Sequence, residues 1–95
     1  MDKVFVDDRV PQRHPNISKN DAMVAWKNCM RSRPRINKNP SECLAIGVDG
    51  KGRLLELVAL RDTEGDWLIY HAMTPPAENA KRELQFDRRK SHEKR

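Results

Sequence analysis

Residues 43–73, CLAIGVDGKGRLLELVALRDTEGDWLIYHAM, hold three apolar runs separated by two turn clusters. In the first run, Cys43–Val48, Leu44, Ile46 and Val48 recur with the two-residue period of a strand that buries one face. Asp49-Gly50-Lys51-Gly52 follows, and its glycines supply the positive φ that tight hairpins need. Arg53–Arg61 is the second run, Asp62-Thr63-Glu64-Gly65 the second turn, and Trp67–Met73 the third run. The stretch predicts a three-stranded antiparallel meander over 43–73.

The chain has 95 residues, room for a single domain, so the flanking segments must cover this sheet. Ser18 is a good N-cap, Asp21 stands where a capping box puts its acid, and Ile17 can staple onto Ala22. Ala22, Met23, Trp26, Cys29 and Met30 follow at helical spacing, which predicts a helix over 18–31. Pro34 and Pro40 forbid its continuation, so residues 31–41 read as a basic loop. Val4-Phe5-Val6 suggests a short N-terminal edge strand, after which Asp7, Asp8, Pro11 and Pro15 break regularity. Pro75-Pro76 stops the sheet. Residues 77–86 predict a C-terminal helix with Ala80, Leu84 and Phe86 toward the sheet, and the charge run 87–95 predicts a flexible basic tail. The expected architecture is α+β, a small antiparallel sheet packed with two helices.

Lys plus Arg number 19 and Asp plus Glu 14, a net charge of +5. By segment the net charge is +5 over residues 1–40, −3 over 41–76 and +3 over 77–95, so the basic charge lies on the flanks of the sheet. Such a balance favours an acidic partner: nucleic acid, an anionic membrane or an acidic protein. No apolar run approaches the roughly 18 residues of a membrane span, and Met1–Val10 lacks the apolar core of a signal peptide, so a cytoplasmic location is expected. Cys29 and Cys43 read as reduced core residues, with a disulfide as the alternative.

Phosphate-binding glycine loops, dinucleotide fingerprints and zinc-type Cys/His spacings are absent from the sequence, and His14, His71 and His92 are scattered, so no metal or cofactor is expected. His71 stands inside an apolar strand, IYHAM, and imidazole can act as general acid or base near neutral pH. A four-residue second turn pairs His71 with Glu56, and a five-residue turn pairs it with Leu57. Glu56 is the single charge within LLELVAL and marks either an open sheet face or a site. Arg53 and Arg61 share one face of the second strand as candidate phosphate ligands. Arg31, Arg33, Arg35, Arg88 and Arg89 form clusters able to track a phosphate backbone, or simply solvated surface. Trp26 reads as core, while Trp67 or Tyr70 could stack on a base.

Three stretches carry a family resemblance. Arg13-His14 followed by Ile17-Ser18 and Asp21-Ala22 resembles the Lys-His-Gly-Val-Ser-x-x-Glu-Ala helix entry of the BrnT-type toxins of bacterial type II toxin–antitoxin modules, within the RelE/ParE-like superfamily. Leu44-Ala45-Ile46-Gly47 with Gly52-Arg53-Leu54-Leu55 resembles that family's hairpin, and Ile69-Tyr70-His71-Ala72-Met73 its following I-I-S-A-R strand. The chain departs from the family at Met73, which replaces the arginine, at His71, on the serine side of that motif, and over residues 2–12, too short and proline-broken for the family's N-terminal helix.

The resemblance implies a metal-independent endoribonuclease that cuts messenger RNA. It implies neutralisation by a cognate antitoxin, commonly a ribbon-helix-helix protein, which alone would contact operator DNA. His71 and Glu56 are then the acid–base candidates, with Arg53, Arg61 and the basic clusters on RNA. The competing expectation is a non-catalytic basic α+β module that binds nucleic acid or an acidic protein, or a subunit of a larger assembly.

Overall fold

The computed structural model describes residues 3–35 and 39–86, with the backbone alone for Asn39 and Pro40. The basic tail, with Arg88 and Arg89, lies outside the described residues. The fold is α+β: a five-stranded mixed sheet with three helices. In chain order the elements are β1 (Val4–Val6), α1 (Arg9–Arg13), α2 (Lys19–Lys27), β2 (Cys29–Arg35), β3 (Asn39–Val48), β4 (Leu54–Arg61), β5 (Trp67–Met73) and α3 (Glu78–Glu83). The order across the sheet is β1-β5-β4-β3-β2. The meander over 43–73 is present, and it is extended on both sides. β1 adds to β5 in parallel, with Val4 opposite Trp67, so the sheet is mixed rather than wholly antiparallel.

The second correction concerns residues 29–41. The helix expected over 18–31 ends at Lys27, and of the expected basic loop over 31–41 the described residues 31–35 belong to the edge strand β2 and 39–41 to β3. Asn28 explains the change of course. Its N–H caps α2 on the Val24 carbonyl, its carbonyl accepts from Val48 N–H, and its amide donates to the Val48 carbonyl. The chain is thereby latched to the end of β3, and Cys29 pairs with Gly47. Cys29 and Met30 consequently leave the apolar stripe and are exposed. Both cysteines are free, Cys43 half-buried and Cys29 not in the core. Pro34 is tolerated because β2 is an edge strand, where a missing N–H leaves no interior ladder bond unmade.

Third, α1 forms despite Pro11. With Asp8 as N-cap, Pro11 occupies the third helical position, and no N–H in that first turn has an intrahelical acceptor. The capping box of α2 is formed as its sequence predicts: Asp21 N–H donates to Ser18 Oγ at 3.0 Å and Ser18 N–H to Asp21 Oδ2 at 2.9 Å.

The sheet buries both faces. Ala45, Leu55, Leu57, Ala59, Ile69 and Ala72 pack against Val10, Ile17, Ala22 and Ala25 of the α1–α2 layer. Leu44, Ile46 and Val58 pack against Ala80 and Leu84, with Phe86 beside them, as the C-terminal helix was expected to do. The α2 layer sits so close that a Cβ on Gly47 would stand 1.9 Å from the Ala25 carbonyl oxygen. Among the described residues no helix is long and apolar enough to cross a membrane.

Candidate active site

The turn between β4 and β5 has five residues, since Arg61 pairs with Trp67. That register alone would set His71 opposite Leu57, on the helix-layer side. A β-bulge intervenes: Ala59 pairs with Ile69 but Val58 pairs with His71, so Tyr70 is the extra residue. Tyr70 and His71 therefore both turn to the α3 side, while Ile69 and Ala72 stay in the opposite core. Glu56, two residues from Val58, becomes a diagonal neighbour of His71.

The pair is joined. His71 Nε2 lies 2.9 Å from Glu56 Oε2, and Glu56 Oε1 accepts from Ala77 N–H at 2.8 Å, at the N-cap of α3. Glu56 is buried and His71 half-buried. The hydrogen bond from His71 holds the Glu56 carboxyl below its ordinary range, against burial, which pushes it up, and with help from the Ala77 N–H. The charge inside LLELVAL thus does not lie on an open, solvated face of the sheet.

A cavity of about 280 Å³ opens over this pair. Glu56, Val58, Tyr70 and His71 border it on the sheet side, and Arg9, Arg13 and His14 on the α1 side. The His14 and His71 rings stand edge to face, 6.3 Å between centroids at 83°. Arg9 is 3.9 Å from Asp7 Oδ1, and Arg13 has no carboxylate partner among the described residues. Burial pushes the Tyr70 phenol up, and Glu42 adds to the shift. Sequence reasoning did not place Arg9, Arg13 and His14 in the site, although Arg13-His14 carries part of the family resemblance. The helix that carries them looked broken by Pro11, and His14 is far from His71 along the chain.

The arginines singled out from the sequence are dispersed. Arg53 lies on the α2 side of the sheet, opposite Glu56, and its guanidinium is engaged by Asp49 Oδ2 (2.8 Å), the Asn16 carbonyl (3.0 Å) and Asp21 Oδ2 (3.1 Å). Arg61 lies over the Trp67 ring at 5.4 Å, beside a separate hollow that it shares with Cys43. Trp67 in turn packs on Trp26. Arg31, Arg33 and Arg35 stand on alternate residues of β2 and face α3. Arg31 and Arg33 donate to the Leu84 and Glu83 carbonyls, where cations suit a helix C-terminus. Arg35 forks onto both Glu83 oxygens at 3.0 Å and reaches Glu42 at 2.9 Å, an arrangement that raises its pKa further. Among the described residues of this set, Arg35 alone borders the cavity.

Asp62, Glu64 and Asp66 gather in the β4–β5 turn, where Asp62 Oδ1 accepts from Glu64 and Asp66 N–H and Asp66 Oδ1 from Lys3 N–H. Those bonds account for the cluster as turn chemistry. Comparison with protein-family models, curated proteins and solved structures finds no match to this chain.

Proposed function

We propose that this protein is a metal-independent endoribonuclease with a RelE/BrnT-like fold, the toxin of a type II toxin–antitoxin pair. The observation that carries the catalytic part is the carboxylate-backed imidazole, Glu56–His71, under a cavity edged by Arg9 and Arg13. RNA supplies its own nucleophile, the 2′-hydroxyl. Its cleavage asks for proton transfer at that oxygen and cations around the phosphate as charge builds up. Glu56 orients the His71 ring and faces the imidazolium formed when His71 takes a proton. Arg9 and Arg13 are the phosphate ligands of this site, in place of Arg53 and Arg61. The toxin role and an antitoxin of ribbon-helix-helix type rest on the sequence resemblance of the Arg13–Ala22, Leu44–Leu55 and Ile69–Met73 stretches.

The test is cleavage of single-stranded RNA by the purified chain in excess chelator. The expected products carry 2′,3′-cyclic phosphate and 5′-hydroxyl ends, and expression in bacteria arrests growth. His71→Gln slows cleavage by about 10²–10⁴-fold. Intact RNA with folded wild-type protein overturns the reading. RNA retained but never cut would favour the non-catalytic binding module.

A further inference from the structure

Two proton transfers occur in this reaction, and the Glu56–His71 pair supplies one group. We infer that His14 is the second catalytic residue: His71 accepts the 2′-hydroxyl proton and His14 donates a proton to the leaving 5′-oxygen. The inference rests on the ribonuclease reading above.

Three observations support it. Both rings border one cavity and stand 6.3 Å apart at 83°, so a single phosphodiester seated over them is in reach of both. Their settings differ. His71 Nε2 is taken by a carboxylate, which steadies the ring as it gains a proton. His14 has no carboxylate partner among the described residues, and its ring has a nitrogen available to donate. Finally, His14 is held from the backbone. Its N–H donates to the Val10 carbonyl at 3.0 Å and its carbonyl accepts from Ile17 N–H at 2.8 Å, so the backbone that carries the ring to the cavity is fixed by main-chain bonds that a substitution leaves in place.

The balance of the step is complete. The O2′–P bond forms as the 2′-proton passes to His71, and the P–O5′ bond breaks as His14 delivers its proton to O5′. No metal, oxidant or further reactant enters. The products are a 2′,3′-cyclic phosphate and a 5′-hydroxyl, and proton exchange with water resets both rings.

A dinucleotide whose 5′-bridging oxygen is replaced by sulfur tests the assignment, because a thiolate leaves without protonation. His14→Gln should cut the ordinary linkage about 10²-fold or more slowly than wild type and the sulfur linkage at nearly the wild-type rate. His71→Gln should be slow on both. His14→Asn is the companion variant, and the assignment is read from whichever of the two His14 variants keeps the wild-type circular dichroism. Equal losses on both substrates reduce His14 to a structural residue and overturn the inference, as does an undiminished rate on the ordinary linkage or the loss of fold in both variants. Wild-type protein inert toward both linkages rejects the ribonuclease reading itself, a result separate from any difference among the variants.

Discussion

His71 meets Glu56 across β4 and β5 because Tyr70 is an extra residue in β5, and the same carboxylate ties His71 to the N–H of Ala77, the N-cap of α3. Glu56→Gln keeps the shape and removes the charge. Because the folded state lowers the Glu56 pKa below its ordinary value of 4.5, its contribution is present above that pH and lost as pH falls through the folded value. The variant should be less stable by about 1–3 kcal/mol at pH 7, and the gap to wild type should narrow below pH 4.5. Urea unfolding at pH 7 and pH 3 checks this; a gap that is constant with pH would contradict it.

Much of the fold was legible because local chemistry and tertiary structure agree there. The two turns, the alternation of Leu44 and Ile46 and the Ser18–Asp21 box are of that kind. The rest depends on partners distant in sequence. Cys29–Arg35 has no strand alternation of its own and becomes a strand because β3 offers a ladder and α3 offers acceptors for its arginines. The candidate site was half legible: His71 and Glu56 stood out as residue types, and a four-residue turn would have paired them, but the turn that forms has five residues and it is the bulge at Tyr70 that brings them back together.

Gly47→Ala should be among the most damaging single-methyl additions in the chain. The new Cβ would meet the Ala25 carbonyl oxygen at 1.9 Å, a backbone atom of a packed helix that cannot swing aside. A loss of about 3 kcal/mol or more is expected. Gly50→Ala is the control, since nothing lies within 4 Å there, and should shift stability by less than about 0.5 kcal/mol. Thermal unfolding of the two variants decides it.

Arg35→Lys should loosen α3 while preserving charge. An ammonium cannot fork onto both Glu83 oxygens and still reach Glu42. With Arg35 partly exposed, a cost of about 1–2 kcal/mol is expected. Faster amide exchange over Glu78–Glu83 than in the rest of the protein is the signature, and uniform exchange would count against it.

Arg13 and Arg53 should separate cleanly. Arg13→Ala leaves thermal stability unchanged, weakens RNA binding and lowers the salt slope by about 0.7. Arg53→Ala removes a cationic partner that Asp21 shares with Lys51 and the side-chain partner of Asp49, both carboxylates buried, and lowers the melting temperature at any salt concentration. Salt titration of RNA affinity beside melting curves tests both. A matching loss of melting temperature in Arg13→Ala would move Arg13 out of the site.

Ser18→Ala should cost about 1 kcal/mol by releasing one half of the capping box, read by chemical unfolding.

The parallel pairing of β1 with β5 also sets an order of events at synthesis. Lys3 N–H finds Asp66 across 63 residues of chain, and α1 follows directly from β1. The helix that walls the cavity is made before β5, yet its berth exists only once β5 has emerged and paired with β4. Contacts this distant in sequence form late, after the loop-closure cost of the meander has been met. The nascent chain therefore carries Arg9, Arg13 and His14 without a cavity to line until β5 has been made and paired.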